Sequence, residues 1–271
     1  LLKIETDDID VAVEGNALII GKAAASNLKG TYIELDRDRG ICRVVVAGEK
    51  GFQADFVSAN EGINADLARR DFTIDSMAID IESVGTDEGK VSFTTSNLID
   101  PLNGRSDLNS GKLRAVSSSS LSDDPVRLMR AVRFSSQYGM RLEDKTYNQI
   151  KNIAPQLKGI APERIRDEFL KTLSLRGASD SIRLMDKLGL LEKIIPEINQ
   201  SKGVVQPKEH YWNVFEHLIE CVDQLERILQ SQFQKSGHCQ DDYLDLIPRF
   251  QGIEKHFNQE VGDGHTRLTI C

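Results

Sequence analysis

No stretch of the 271 residues approaches the roughly 18 apolar residues that a membrane-spanning helix requires. No charged-then-apolar leader opens the chain. Cysteine is sparse, and Cys42, Cys221, Cys239 and Cys271 lack metal-ligand spacing. Together these absences lead us to expect a reduced, cytoplasmic chain. Positive charge is also short. There are 34 Lys and Arg against 42 Asp and Glu, for a net charge of −8. Nucleic-acid binding needs local Lys and Arg to neutralise phosphates, so the sum argues against it. The sum hides a patch, however. Between Arg114 and Arg183 the basic residues crowd, with Arg127, Arg130, Arg133, Arg164, Arg166 and Lys171 among them. An acidic protein with one basic face remains open.

What is present reads as globular: 39% hydrophobic and 28% charged residues, enough chain for one large or two smaller domains. Both ends read as cut. The chain opens in a loop, Leu1-Leu2-Lys3, and stops on Thr269-Ile270-Cys271 with no turn or cap signal.

The first 115 or so residues alternate in the manner of a small α+β domain. Strands are predicted at 8–14, 31–35, 41–47 and 52–58, with a helix over 16–27 and a turn at Glu14-Gly15-Asn16. Residues 67–79 read as a helix or loop-helix, and 80–100 as a hairpin around Gly85 and Gly89. The serine run 117–120 reads as a mobile linker or a hinge loop. Helices follow. One spans 123–138, capped by Ser122 or Asp123 with Pro125 in its first turn. Others span 143–153, 162–175, 178–188 and 207–231. Residues 232–271 are polar and ambiguous.

Four groups of residues carry candidate chemistry. Asp8 and Asp10, two apart on a strand, share a face. Carboxylates about 7 Å apart on one face repel unless a cation lies between them. Mg²⁺ takes one or two such carboxylates plus substrate phosphates. A solvent-facing acidic strand edge has the same short pattern. Arg69-Arg70-Asp71-Phe72-Thr73 offers guanidinium forks for phosphate and a carboxylate for a hydroxyl, or an exposed ion-pair cluster. Asp124, Arg127, Arg130 and Arg133 recur at three-residue spacing, near one helical face. One carboxylate beside one guanidinium imitates a base-pairing edge: Asp124 accepts from an exocyclic amine, and Arg127 donates to ring nitrogen or carbonyl. A solvated helix with ordinary ion pairs is the alternative. His210 and His217 are two helical turns apart and share a face; a metal site would need closer partners from elsewhere, and the pair otherwise reads as surface or core histidines.

In this order, Asp8-Ile9-Asp10, Arg69 to Ile74, Asp124 to Phe134 and Pro162 to Glu168 resemble class II tRNA nucleotidyltransferases and bacterial poly(A) polymerases. Ile99-Asp100-Pro101 with Asp107-Leu108 and Leu188-Gly189-Leu190-Leu191 extend the likeness over nearly the whole chain. The resemblance implies a polymerase-β-like head, mixed sheet with helices and lacking its first strand, over residues 1–116. It implies an all-α neck and body over 117–200. Residues 201–271 resemble the start of a helical His-Asp type domain. The implied activity is Mg²⁺-dependent, template-independent addition of CCA, or of the terminal A, to the tRNA 3′ end. ATP, with CTP as a second candidate, is the implied nucleotide. Asp8 and Asp10 are the implied catalytic and metal-holding pair. Arg70, Asp124, Arg127, Arg130 and Arg133 are the implied nucleotide-binding set, with Asp71 near the ribose and Asp55 a third carboxylate. Poly(A) polymerase is the alternative activity, and an RNA-binding module with an inactive head is an alternative of another class. The chain departs from the family pattern where Gly-Gly-x-Val-Arg-Asp does not precede Leu1-Leu2, where Lys3 replaces glycine, and where Asp75 and Asp123 replace Asn and Glu.

Overall fold

The computed structural model describes residue 6 and residues 8–48, 51–87, 90–92, 95–207, 211–233, 253–262 and 265–266. It divides into two compact units, Leu1–Arg70 with Asp75–Leu102, and Asp71–Ile74 with Asn103–Cys271.

The first unit is a mixed four-stranded sheet with one long helix. β1 (Asp8–Val13) leads into α1 (Ala17–Leu28), then β2 (Thr31–Asp36), β3 (Ile41–Val46) and β4 (Phe52–Ser58). The sheet order is β1-β4-β3-β2, with β1 parallel to β4 and the remaining pairs antiparallel. Alternation decides the two faces. Cys42, Val44, Ala54 and Phe56 form one face and pack with Ala17 and Ala25 of α1. Asp10, Asp55 and Arg43 lie on the other, because Asp10 stands opposite Asp55, and Asp55 opposite Arg43. Asn16 starts α1 by accepting from the amides of Leu18 and Ile19 at 3.0 and 3.2 Å. Beyond the sheet come α2 (Ile63–Leu67) and four short strands, β5 (Ala78–Ile79), β6 (Gly85–Asp87), β7 (Lys90–Ser92) and β8 (Leu98–Ile99). β6 and β7 make the predicted hairpin, while Gly89 at its centre lies outside the described residues. Over 67–79, read as a helix or loop-helix, no continuous helix forms. α2 ends at Leu67, and only a single 3₁₀ turn, Thr73–Asp75, follows.

The second unit is helical: α3 (Gly104–Asn109), β9 (Lys112–Leu113), α4 (Ser120–Asp123), α5 (Arg127–Tyr138), β10 (Arg141–Leu142), α6 (Asp144–Ile153), α7 (Pro162–Leu173), α8 (Ala178–Lys187), α9 (Leu191–Ile194) and α10 (Val214–Phe233). Its core gathers Leu128, Met129, Ala131, Val132 and Phe134 from α5, together with Phe72, Leu121, Ile150, Met185 and Leu188. The serine run, read as a mobile linker or a hinge loop, closes a turn that leads into α4. Ser120 is buried in the first turn of α4, and the Ser117 hydroxyl accepts from its amide at 3.0 Å. The helix expected from Asp123 breaks instead. Asp124 is extended, and α5 begins at Arg127, so Pro125 lies before the helix. Pro162 does open α7, where its missing N–H costs nothing. α10 starts at Val214, later than expected, with Asn213 accepting from the Glu216 amide at 2.9 Å. Glu226 of α10 accepts from the Gly177 and Ala178 amides at 2.7 and 3.1 Å, so it caps α8.

The small-residue stripe Ala17, Gly21, Ala25 lets α1 lie close on β3. A methyl at Gly21 would stand 2.3 Å from the Cys42 sulfur. Gly21→Ala should therefore destabilise the first unit by about 1–3 kcal/mol, although alanine is the better helix former by about 1 kcal/mol. Adding Cys42→Ala should recover part of the loss. Urea midpoints check this, and a midpoint unchanged by Gly21→Ala would rule the close contact out.

Candidate functional site

In the first unit, opposite charges alternate on the face turned away from α1. Asp10 Oδ2 accepts from Arg70 Nη1 at 3.0 Å, and Arg70 Nη2 reaches Asp66 Oδ2 of α2 at 3.4 Å. Burial pulls the Arg70 pKa down, but the charges of Asp10 and Asp66 and their hydrogen bonds outweigh it and raise the value. Arg43 holds Asp55 through two bonds, Nε at 2.6 Å and Nη2 at 2.7 Å. The bond to Asp55 raises the Arg43 pKa against the effect of burial, and the charges of Asp55, Asp8 and Asp10 add to the rise. Both arginines thus stay cationic throughout the range in which carboxylates titrate. Asp8 sits two residues before Asp10 on the same strand and is exposed.

The donor set of this face suits Mg²⁺ in one way only. Among the described residues, no three His, Cys, Asp or Glu side chains gather to hold a metal ion. Asp8 and Asp10 instead offer hard oxygens on an exposed face, with the Asp10 side chain 60% exposed. That fits an ion that takes one or two carboxylates and completes its shell with water and phosphate.

In the second unit, α5 carries its arginines on the side opposite its core residues, and each has a fixed partner. Arg127 Nε meets Asp71 Oδ1 at 2.7 Å, and Nη1 donates to the Ser120 carbonyl at 3.1 Å. Arg130 pairs with the other Asp71 oxygen. Arg133 donates to Glu168 of α7 at 2.7 Å and lies over the Phe134 ring, 4.4 Å from its centroid. Asp124 accepts from Arg164 of α7 at 2.7 Å and from the Val126 amide at 3.3 Å.

The structure thus puts Asp8, Asp10 and Arg70 in one unit and Asp124, Arg127, Arg130 and Arg133 in the other. Four partners had no assigned part in holding them: Asp66, the pairing role of Asp71, Arg164 and Glu168. A usable signal was present. Arg164 and Glu168 are four apart in the segment Pro162 to Glu168, so they share a helical face, with charges complementary to Asp124 and Arg133. His210 lies outside the described residues. His217 Nε2 is 3.7 Å from the sulfur of Cys221.

Residues 1–114 match a family model described as the poly A polymerase head domain. Residues 139–202 match one described as a probable RNA and SrmB-binding site of polymerase A. The chain is 37% identical over 209 residues to the A-adding tRNA nucleotidyltransferase of Deinococcus radiodurans, covering 75% of this chain and 44% of that one. It is also 37% identical over 191 residues to the CC-adding tRNA nucleotidyltransferase of Geobacter sulfurreducens, covering 70% and 41%. The chain thus spans less than half the length of either relative. Among solved structures, it is similar to the Thermotoga maritima CCA-adding enzyme complexed with tRNA, with a TM-score of 0.61 and 27% identity, covering 85% of this chain and 48% of that one.

Glu168 and Arg133 have side chains only 9% and 14% exposed. Removing one partner of such a pair strands a buried charge. Glu168→Ala should cost the second unit about 3 kcal/mol or more, whereas replacing both with apolar residues, Arg133→Met with Glu168→Leu, should cost much less. Guanidinium unfolding of the three proteins checks the order. A Glu168→Ala loss below that of the double variant would show that Arg133 is not left as a stranded charge.

Proposed function

This chain belongs to the tRNA nucleotidyltransferase and poly(A) polymerase family, and we propose that it adds nucleotides to the 3′ end of tRNA without a template. The observation that best supports this is the strand register. It sets Asp10 opposite Asp55, with Arg70 on one carboxylate and Arg43 on the other.

In the reaction, the RNA 3′ hydroxyl attacks the α-phosphorus of ATP or CTP. A new phosphodiester bond forms, the bond to the bridging oxygen breaks, and pyrophosphate leaves. Asp8 and Asp10 would hold Mg²⁺, which when bound supplies charge stabilisation to the attacking and leaving oxygens. Asp10 and Asp66 hold the Arg70 guanidinium in place, so its direction is set before a phosphate arrives. Because Arg70 remains charged, it can donate to phosphate oxygens without a proton leaving. In the helical unit, Asp124 accepts from the exocyclic amine of the base and Arg127 donates to its ring nitrogen or carbonyl. Arg130 and Arg133 add positive field for the triphosphate. Arg133 is the more enclosed of the two and acts through its charge.

The likeness to A-adding and CC-adding relatives is equal at 37%, so identity does not rank the products. A poly(A) tail is the second reading, supported by the head-domain match. Among the described residues, no helix is long and apolar enough to cross a membrane. We place the enzyme in the cytoplasm, with its tRNA substrate.

Transcripts of tRNA lacking one, two or three terminal nucleotides, incubated with Mg²⁺ and labelled ATP or CTP, test the reading. C, C and A in turn indicate CCA addition. A alone, on the substrate lacking one nucleotide, indicates A addition. Long A tails indicate a poly(A) polymerase, and no incorporation refutes the proposal. Replacing Asp8 and Asp10 together with Asn should lower incorporation by about a thousandfold, equivalent to several kcal/mol of transition-state stabilisation. Binding of tRNA, followed by filter retention, should persist.

A further inference from the structure

We propose that Arg164 is a positioning residue that sets the selectivity of this site for amine-bearing bases over keto bases, acting through Asp124. The inference rests on the function proposed above and assigns a part to a residue so far given none.

Asp124 lies in the break between α4 and α5, with φ −145° and ψ 95°, so no helical turn fixes its side chain. Two contacts do. Oδ1 accepts from the Val126 amide at 3.3 Å, and Oδ2 from Arg164 Nη2 at 2.7 Å. A carboxylate has about four acceptor positions, so each oxygen keeps one for a ligand. Arg127, its partner in reading the base, is held independently by Asp71 and the Ser120 carbonyl. The donor half of the edge is therefore rigid without Arg164, and the acceptor half depends on it.

The place of Arg164 points the same way. It is the third residue of α7, in the first turn, where a cation opposes the helix dipole. Its side chain is 52% exposed and that of Asp124 is 30% exposed. A pair so open to water adds little to stability. What the contact supplies is direction. Adenine and cytosine present an exocyclic amine, which a fixed carboxylate accepts. Guanine and uracil present a carbonyl at the matching position, and an acceptor facing an acceptor is repelled. A carboxylate free to turn away loses that rejection. The expected change falls on keto nucleotides more than on overall rate.

The test measures kcat/KM for ATP against GTP, and for CTP against UTP, with tRNA primers and the full chain. Arg164→Ala should lower both ratios about tenfold, at the lower end of what one reading pair supplies. Arg164→Lys keeps a donor and should retain most of the selectivity. Urea midpoints of both variants should match that of the unmodified protein. In an Asp124→Ala background, Arg164→Ala should change the ratios no further, which a purely structural role would not produce. Unchanged ratios in Arg164→Ala, while the unmodified protein extends RNA, would overturn the inference and leave the proposed function standing. A failure of the unmodified protein to extend any primer would remove the proposed function, and the inference with it.

Discussion

The Asp71 carboxylate stands between Arg127 and Arg130, and the helical unit is organised around it. Three arginines spaced along one side of a single helix repel one another. Asp71 and Glu168 answer that repulsion from two other segments, the short stretch Asp71–Ile74 and α7. The stretch is itself anchored. Phe72 is fully buried and meets Phe134 edge-on at 5.7 Å, and it bridges to Ala115. Thr73 donates to Asp107, which Arg114 holds with two bonds. The chain passes between the units at three places, the first of them the peptide bond between Arg70 and Asp71. Arg70 turns to the carboxylates of the first unit, and its neighbour to the guanidiniums of the second.

The sheet handles charge in a related way. β1 and β4 run parallel in register, so Asp10 and Asp55 face the same side. Two carboxylates on adjacent strands raise each other's energy. Arg70 and Arg43 each take one of them. Such a face is preorganised. Its charges are in place before any polyanion arrives, so little reorganisation is needed when phosphate binds.

Much of this was legible in the chain. Alternation placed the strands of the sheet within a residue or two, and Asn16 marked the start of α1. Periodicity placed α5 to α8, because their buried stripes recur at helical spacing. The start of α5 was less so. Asp123, Pro125 and the following apolar residues match a capped helix with a first-turn proline, yet the chain turns at Asp124 before α5 begins. Leu121 and Val126, on either side of that turn, are both buried. The serine run left two readings open, a mobile linker or a hinge loop. Small polar residues suit a linker, but here Ser117 and Ser120 bond to one another and close a turn.

The sequence by itself determined the residue types, the strand and helix periods and the family pattern, because these depend on near neighbours along the chain. It also determined that Asp8 and Asp10 share a face, since a strand alternates strictly. Only the tertiary structure decided which charges meet. The pairs Arg70 with Asp10, Arg43 with Asp55, Arg130 with Asp71 and Arg164 with Asp124 join residues 60, 12, 59 and 40 positions apart. Several arginines and several carboxylates could satisfy one another in many combinations. Strand register and helix packing select one, because they alone bring particular side chains within hydrogen-bond reach.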